Sequence, residues 1–179
     1  LLCWCARYPE QANVLGVVLF GTRRRVTIWN WERFLKLTLA WGMFGRYLLR
    51  KQGFLDAVRY KMGGDNETAR THAETDLWLY SKNIEDPTDG YDYREAMEKR
   101  EMPPILSLTG GGDRILGNPQ DCKLLLTETG ALDVDFRVIG KTTGHLHNYD
   151  HITLLTHRQA SEDLYPIVEN WLRTKTEAR

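Results

Sequence analysis

Ile105-Leu-Ser-Leu-Thr-Gly-Gly-Gly-Asp113 is the stretch from which the fold of this chain can be read. An apolar strand over Ile105–Leu108 runs into three glycines and then an aspartate. Upstream, Val14–Phe20 (VLGVVLF) is a second apolar run, closed by Gly21. Such runs suit strands buried on both faces, as in a parallel sheet with helices above and below. Downstream, Pro119 opens a helical stretch to Glu128, Gly130 stops it, and Asp135–Ile139 reads as a further strand. The alternation of strands and helices predicts an α/β fold with a mostly parallel sheet. In such sheets sites gather at the carboxyl ends of the strands.

The second informative stretch is Asp150-His151-Ile-Thr-Leu-Leu-Thr-His-Arg-Gln-Ala-Ser-Glu-Asp-Leu-Tyr165. A polar loop, Lys141–Tyr149, delivers His151. A closing amphipathic helix is predicted over Glu162–Thr174, with Leu164, Ile167, Val168, Trp171 and Leu172 on one face and Ser161 as N-cap. Asp113 and His151 would then share one rim of the sheet, where an acid can orient a histidine.

Between the first two strands the chain changes character. Residues 27–93 read as a helical insertion. Its helical patterns run Trp31-Phe34-Leu35-Leu37-Thr38-Trp41, Phe54-Val58-Tyr60-Met62 and Ala69-Ala73-Leu77-Tyr80, and the turn-rich Glu85–Tyr93 marks the return to the sheet. Leu1–Tyr8 reads as a helix ended by Pro9. The division expected is therefore 1–26, 27–93 and 94–179.

Composition bounds the function. The 179 residues are 42% hydrophobic and 27% charged, with 24 basic and 24 acidic side chains. Zero net charge argues against a general nucleic-acid or anionic-membrane binder, which needs a basic excess. Arg23-Arg24-Arg25 reads as a solvated loop. No stretch approaches the length of a membrane span. The three cysteines, Cys3, Cys5 and Cys122, do not resemble a disulfide framework or zinc site and suit buried thiols in a reducing, cytoplasmic compartment. His145, His147 and His151 with Asp150 have no strong ligand spacing. No metal or other cofactor is expected. His147, His157 and His72 read as solvent-facing.

With these motifs in place, the chain resembles the α/β-hydrolase fold family, of lipase and esterase type. Met102–Pro119 (MPPILSLTGGGDRILGNP) is similar to the family's segment in which the triad acid follows a strand. Asn148–Leu172 (NYDHITLLTHRQASEDLYPIVENWL) is similar to its ending, with Ala160 and Tyr165 in register and Thr153 where that ending usually has Asp. Leu1–Thr22 looks like the helix and strand that come after the nucleophile elbow. The resemblance implies a partial α/β-hydrolase fold with a helical cap at 27–93, Asp113 as catalytic acid and His151 as base. His145, in a Gly-His pair, is the rival base.

No Gly-x-Ser-x-Gly occurs in the sequence. The expectation is therefore a C-terminal part of a serine hydrolase, with its serine in an N-terminal half before Leu1, and the chain alone inactive. The apolar, Trp-rich insertion favours a small hydrophobic ester as substrate. Two alternatives stay open: a hydrolase with an aspartate nucleophile, as in epoxide hydrolases and dehalogenases, and a non-catalytic binding protein on the same fold.

Overall fold

The computed structural model describes residues 1–177. In chain order it contains α1 (Leu2–Arg7), β1 (Val17–Phe20), α2 (Trp31–Arg33), a π-helical stretch (Phe34–Gly45), α3 (Arg46–Gln52), β2 (Phe54–Leu55), β3 (Glu67–Thr68) and α4 (Ala69–Tyr80). Next come α5 (Tyr93–Glu98), β4 (Ile105–Gly110), α6 (Pro119–Glu128), β5 (Val134–Ile139), α7 (Thr153–Thr156), α8 (Ala160–Asp163) and α9 (Tyr165–Glu177). The architecture is mixed α/β. Two compact units are present, one of residues 1–24 with 83–179 and the other of residues 25–82.

The first unit is built on a parallel sheet of three strands in the order β1-β4-β5. It is smaller than a complete hydrolase sheet. Val17 pairs with Ile105, and Ile105 with Val134. All six residues of the central β4 are buried. Its alternating side chains serve two cores. Leu106 and Leu108 join Ile139, Tyr149, Leu154, Leu164 and Trp171 on one face, and Ile105 joins Val17 and Leu126 on the other. Each such side chain is worth about 1.5–3 kcal/mol relative to exposure, so β4 anchors both layers.

The second unit has its own small core of Leu48, Leu55 and Ala57, with Trp41, Leu49 and Met62 packed on it. β2 and β3 pair antiparallel. α3 ends at Gly53, whose left-handed backbone lets its N–H reach the Leu49 carbonyl at 2.9 Å.

Several expectations are corrected. Phe54–Met62 is not a helix: Phe54 and Leu55 form a strand, and Ala57–Met62 is a turn closed by the Met62 N–H on the Ala57 carbonyl at 2.8 Å. The closing helix is broken at Leu164. Pro166 has no N–H to continue a helix from α8, so it sits instead in the first turn of α9, where an amide needs no intrahelical partner. Ser161 is not an N-cap. It lies inside α8, and its hydroxyl donates to the Arg158 carbonyl at 3.0 Å.

The arginine run is not a solvated loop either. Arg24 is buried in a forked ion pair with Glu128, at 2.9 and 3.0 Å, and Arg23 donates to the Ile115 carbonyl at 3.2 Å. Residues 83–93 pack with the sheet unit, where Arg7 binds Asp86 and Asp89 and the Tyr93 hydroxyl donates to Asp86.

Candidate functional site

β4 ends at Gly110, and backbone hydrogen bonds fix the turn beyond it. The Gly111 N–H donates to the Ile139 carbonyl at 2.9 Å, and the Gly112 N–H donates to the Tyr149 carbonyl at 2.8 Å. The second bond ties the acid loop to the histidine loop. Only glycine allows this approach: a Cβ on Gly110 would stand 2.2 Å from the Tyr149 carbonyl oxygen. The glycine run thus brings two loops from neighbouring strand ends into contact.

Asp113 turns inward from this junction. Its Oδ1 accepts the Ile115 N–H at 3.2 Å, and its Oδ2 stands 3.1 Å from Nδ1 of His151. A carboxylate only accepts, so the imidazole donates from Nδ1 and leaves Nε2 with its lone pair. The Asp113 side chain is 4% exposed and that of His151 36%. The acid is sealed in while the histidine remains reachable. Burial pushes the Asp113 carboxyl up. The bonds from His151 and from the Gly117 and Ile115 amides outweigh burial and hold it below its usual value.

His151 is itself held by a reciprocal box one residue back. Asp150 Oδ1 accepts the N–H of Ile152 at 3.0 Å and of Thr153 at 2.8 Å, while the Asp150 N–H donates to the Thr153 hydroxyl at 2.8 Å. These bonds, the Thr153 amide foremost, lower the Asp150 carboxyl. Tyr149, fully buried, donates its hydroxyl to Asp163 at 2.6 Å, and Asp163 also takes the Leu146 N–H at 2.8 Å. Burial first, then the hydrogen bond to Asp163 and its charge, raises the Tyr149 phenol. The histidine loop is therefore clamped by both the sheet rim and α8.

Two glycines close the site. Gly21, in left-handed backbone just after β1, lies where a Cβ would be 3.1 Å from His151 Nδ1. A Cβ on Gly117 would be 2.7 Å from Asp113 Oδ2 and 2.6 Å from the Gly21 carbonyl oxygen. Arg23 reinforces the same wall through its bond to Ile115. Asn118 caps α6 through its side-chain oxygen, on the Gln120 N–H, and braces the acid loop through its side-chain nitrogen, on the Asp113 carbonyl.

The other candidates lie elsewhere. His145 Nδ1 sits against the Thr143 hydroxyl and Gly140, and among the described residues no carboxylate bonds to it. His147 and His157 are half-buried, not solvent-facing, and stack on each other at 4.0 Å. His72 is buried, its ring donating to the Trp41 carbonyl at 3.2 Å and stacked on that indole. Among the described residues no group of three or more His, Cys, Asp or Glu side chains is placed to hold a metal ion. Cys5 and Cys122 are buried free thiols and Cys3 is half-buried.

Sequence reasoning singled out Asp113 and His151. It missed Thr153, Asp163, Gly21 and Gly117. Thr153 carried a signal, since an aspartate such as Asp150 commonly takes the amides of the next few residues in a local turn. The contacts of Gly21 carried none, because they join it to Gly117 and His151, 96 and 130 positions away in the chain. No helix among the described residues is long and apolar enough to cross a membrane. Compared with known proteins, the chain matches no family model and no curated sequence.

Proposed function

We propose that this chain supplies the acid and base of a carboxylic-ester hydrolase, and that β1, β4 and β5 are the carboxyl-terminal part of an α/β-hydrolase sheet. The single observation that carries the reading is the 3.1 Å contact between buried Asp113 and accessible His151 at adjacent strand ends. Asp113 fixes the tautomer that leaves Nε2 as base. It stabilises the imidazolium formed when Nε2 takes a proton from the nucleophile, and the same nitrogen then delivers that proton to the leaving group. The sequence has no Gly-x-Ser-x-Gly. The reading therefore requires a serine from polypeptide outside these 179 residues, as nucleophile, acid, histidine in chain order.

The test joins the chain to the polypeptide encoded ahead of it and measures p-nitrophenyl ester hydrolysis. Turnover is expected, with His151→Ala and Asp113→Asn each lowering kcat by about 10³-fold or more. Turnover insensitive to both substitutions overturns the proposal. Turnover by the 179 residues alone, abolished by His151→Ala, would keep the pair and overturn the external serine.

A further inference from the structure

Zero net charge conceals a segregation. Residues 25–82 carry ten basic and six acidic side chains, and the rest of the chain carries the compensating acidic excess. Within 43–61 the bias sharpens to five basic residues, Arg46, Arg50, Lys51, Arg59 and Lys61, against Asp56 alone. Arg46 is paired with Asp76. Arg50, Lys51, Arg59 and Lys61 are exposed, and among the described residues no carboxylate pairs with them.

The same segment exposes apolar surface. Met43 is 65% exposed, Tyr47 56% and Tyr60 40%. These are not scattered residues. Phe44 packs on Tyr47 at 6.5 Å and edge-on to Tyr60 at 5.0 Å, and Arg59 lies over the Tyr60 ring at 5.7 Å. Met43, Tyr47 and Lys51 succeed one another at four-residue spacing along one helical face, with Arg50 beside Lys51. The result is an aromatic and thioether patch flanked by unpaired cations at both ends.

We propose that this face of the 25–82 unit docks on the surface of an anionic phospholipid membrane. Tyrosine, phenylalanine and methionine would enter the headgroup boundary, where a ring with one polar end is favoured, and the four cations would meet lipid phosphates and carboxylates. A neutral apolar partner would leave those cations unmatched. A soluble polyanion would leave the apolar side chains in water. An anionic lipid interface satisfies both halves of the patch.

Flotation of the full chain with vesicles tests this, using phosphatidylcholine alone or with about 30 mol% phosphatidylserine, a composition chosen for about −30 mV or more of surface potential. Binding is expected to the mixed vesicles, at least about tenfold tighter than to the neutral ones, and to fall as salt rises from about 0.1 to 1 M, where screening shortens to about 3 Å. Each of Arg50→Gln, Lys51→Gln and Arg59→Gln should weaken it about fivefold. The Met43→Ser, Tyr47→Ser pair should weaken it about tenfold or more at unchanged far-ultraviolet circular dichroism. Arg173→Gln, an exposed cation of the other unit, should change nothing.

Equal binding to both vesicle types, no binding, or full binding by the Gln variants overturns the proposal. So does self-association in size-exclusion chromatography that the Met43→Ser, Tyr47→Ser pair abolishes while vesicle binding persists, which would give the face to a second copy. None of these readouts depends on ester hydrolysis.

Discussion

Gly117→Ala is the substitution that most directly probes the acid–histidine geometry. The added methyl would stand 2.7 Å from Asp113 Oδ2, 2.6 Å from the Gly21 carbonyl oxygen and 2.7 Å from the Gly21 Cα. Ordinary contact needs at least about half an ångström more on every side. Two of the three obstructing atoms are backbone, anchored by the Gly21 N–H on the Leu108 carbonyl at 2.7 Å, so they yield poorly. The third is the carboxylate that His151 needs. Overpacking of this kind costs about 1–3 kcal/mol. For a chain of this size that lowers Tm by about 2–12 °C. Moving Oδ2 by half an ångström also carries the 3.1 Å bond beyond hydrogen-bonding range.

Two measurements check this together. Thermal melting should show the loss of stability. Proton NMR of histidine-labelled protein should show a downfield Nδ1–H resonance that is absent from Gly117→Ala and from Asp113→Asn. Gly64→Ala, whose methyl meets nothing within 4 Å, should leave both readouts unchanged. An unaltered Tm and a persisting resonance in Gly117→Ala would refute the glycine-lined geometry.

Other perturbations report on the same geometry. The Asp113 carboxyl is lower in the folded chain than its unfolded value near about 3.9, so its stabilisation is complete above that pH and is lost as pH falls through the lower folded value. Urea unfolding between about pH 6 and 2 should show part of this acid-side slope disappear in Asp113→Asn. Arg24→Met takes the forked guanidinium from the buried Glu128 carboxylate and should destabilise the chain in urea unfolding by up to about 3–5 kcal/mol, whereas Arg24→Met with Glu128→Leu should recover most of it. Thr153→Ala removes the hydroxyl that closes the 150–153 turn around His151 and should cost about 0.5–2 kcal/mol, with Thr153→Ser restoring it. Leu164→Ala, fully buried at the break between α8 and α9, should cost about 2–5 kcal/mol.

Much of this was legible in the residues alone. The apolar Ile105–Leu108 stretch with its glycines named the central strand, because a run with no polar alternation suits burial on both faces. Pro119 and Gly130 bracketed α6 because each acts on its own backbone. Asp113 and His151 were singled out by their places after strands, and the structure brings them to 3.1 Å. Such features depend on neighbours a few residues away, and sequence order preserves them.

What only the tertiary structure decided involves partners distant in the chain. A run of three arginines looks solvated until Glu128, 104 residues on, buries Arg24. His72 looks like surface until Trp41 stacks on it. The aromatic and cationic patch on 43–61 is invisible in a net charge of zero, because summing over the chain discards position. The pairing of Asp113 with His151 could be nominated from sequence. Its fixed geometry rests on Gly21, Gly117 and Tyr149 meeting across loops, a matter of contact distances that no local pattern encodes.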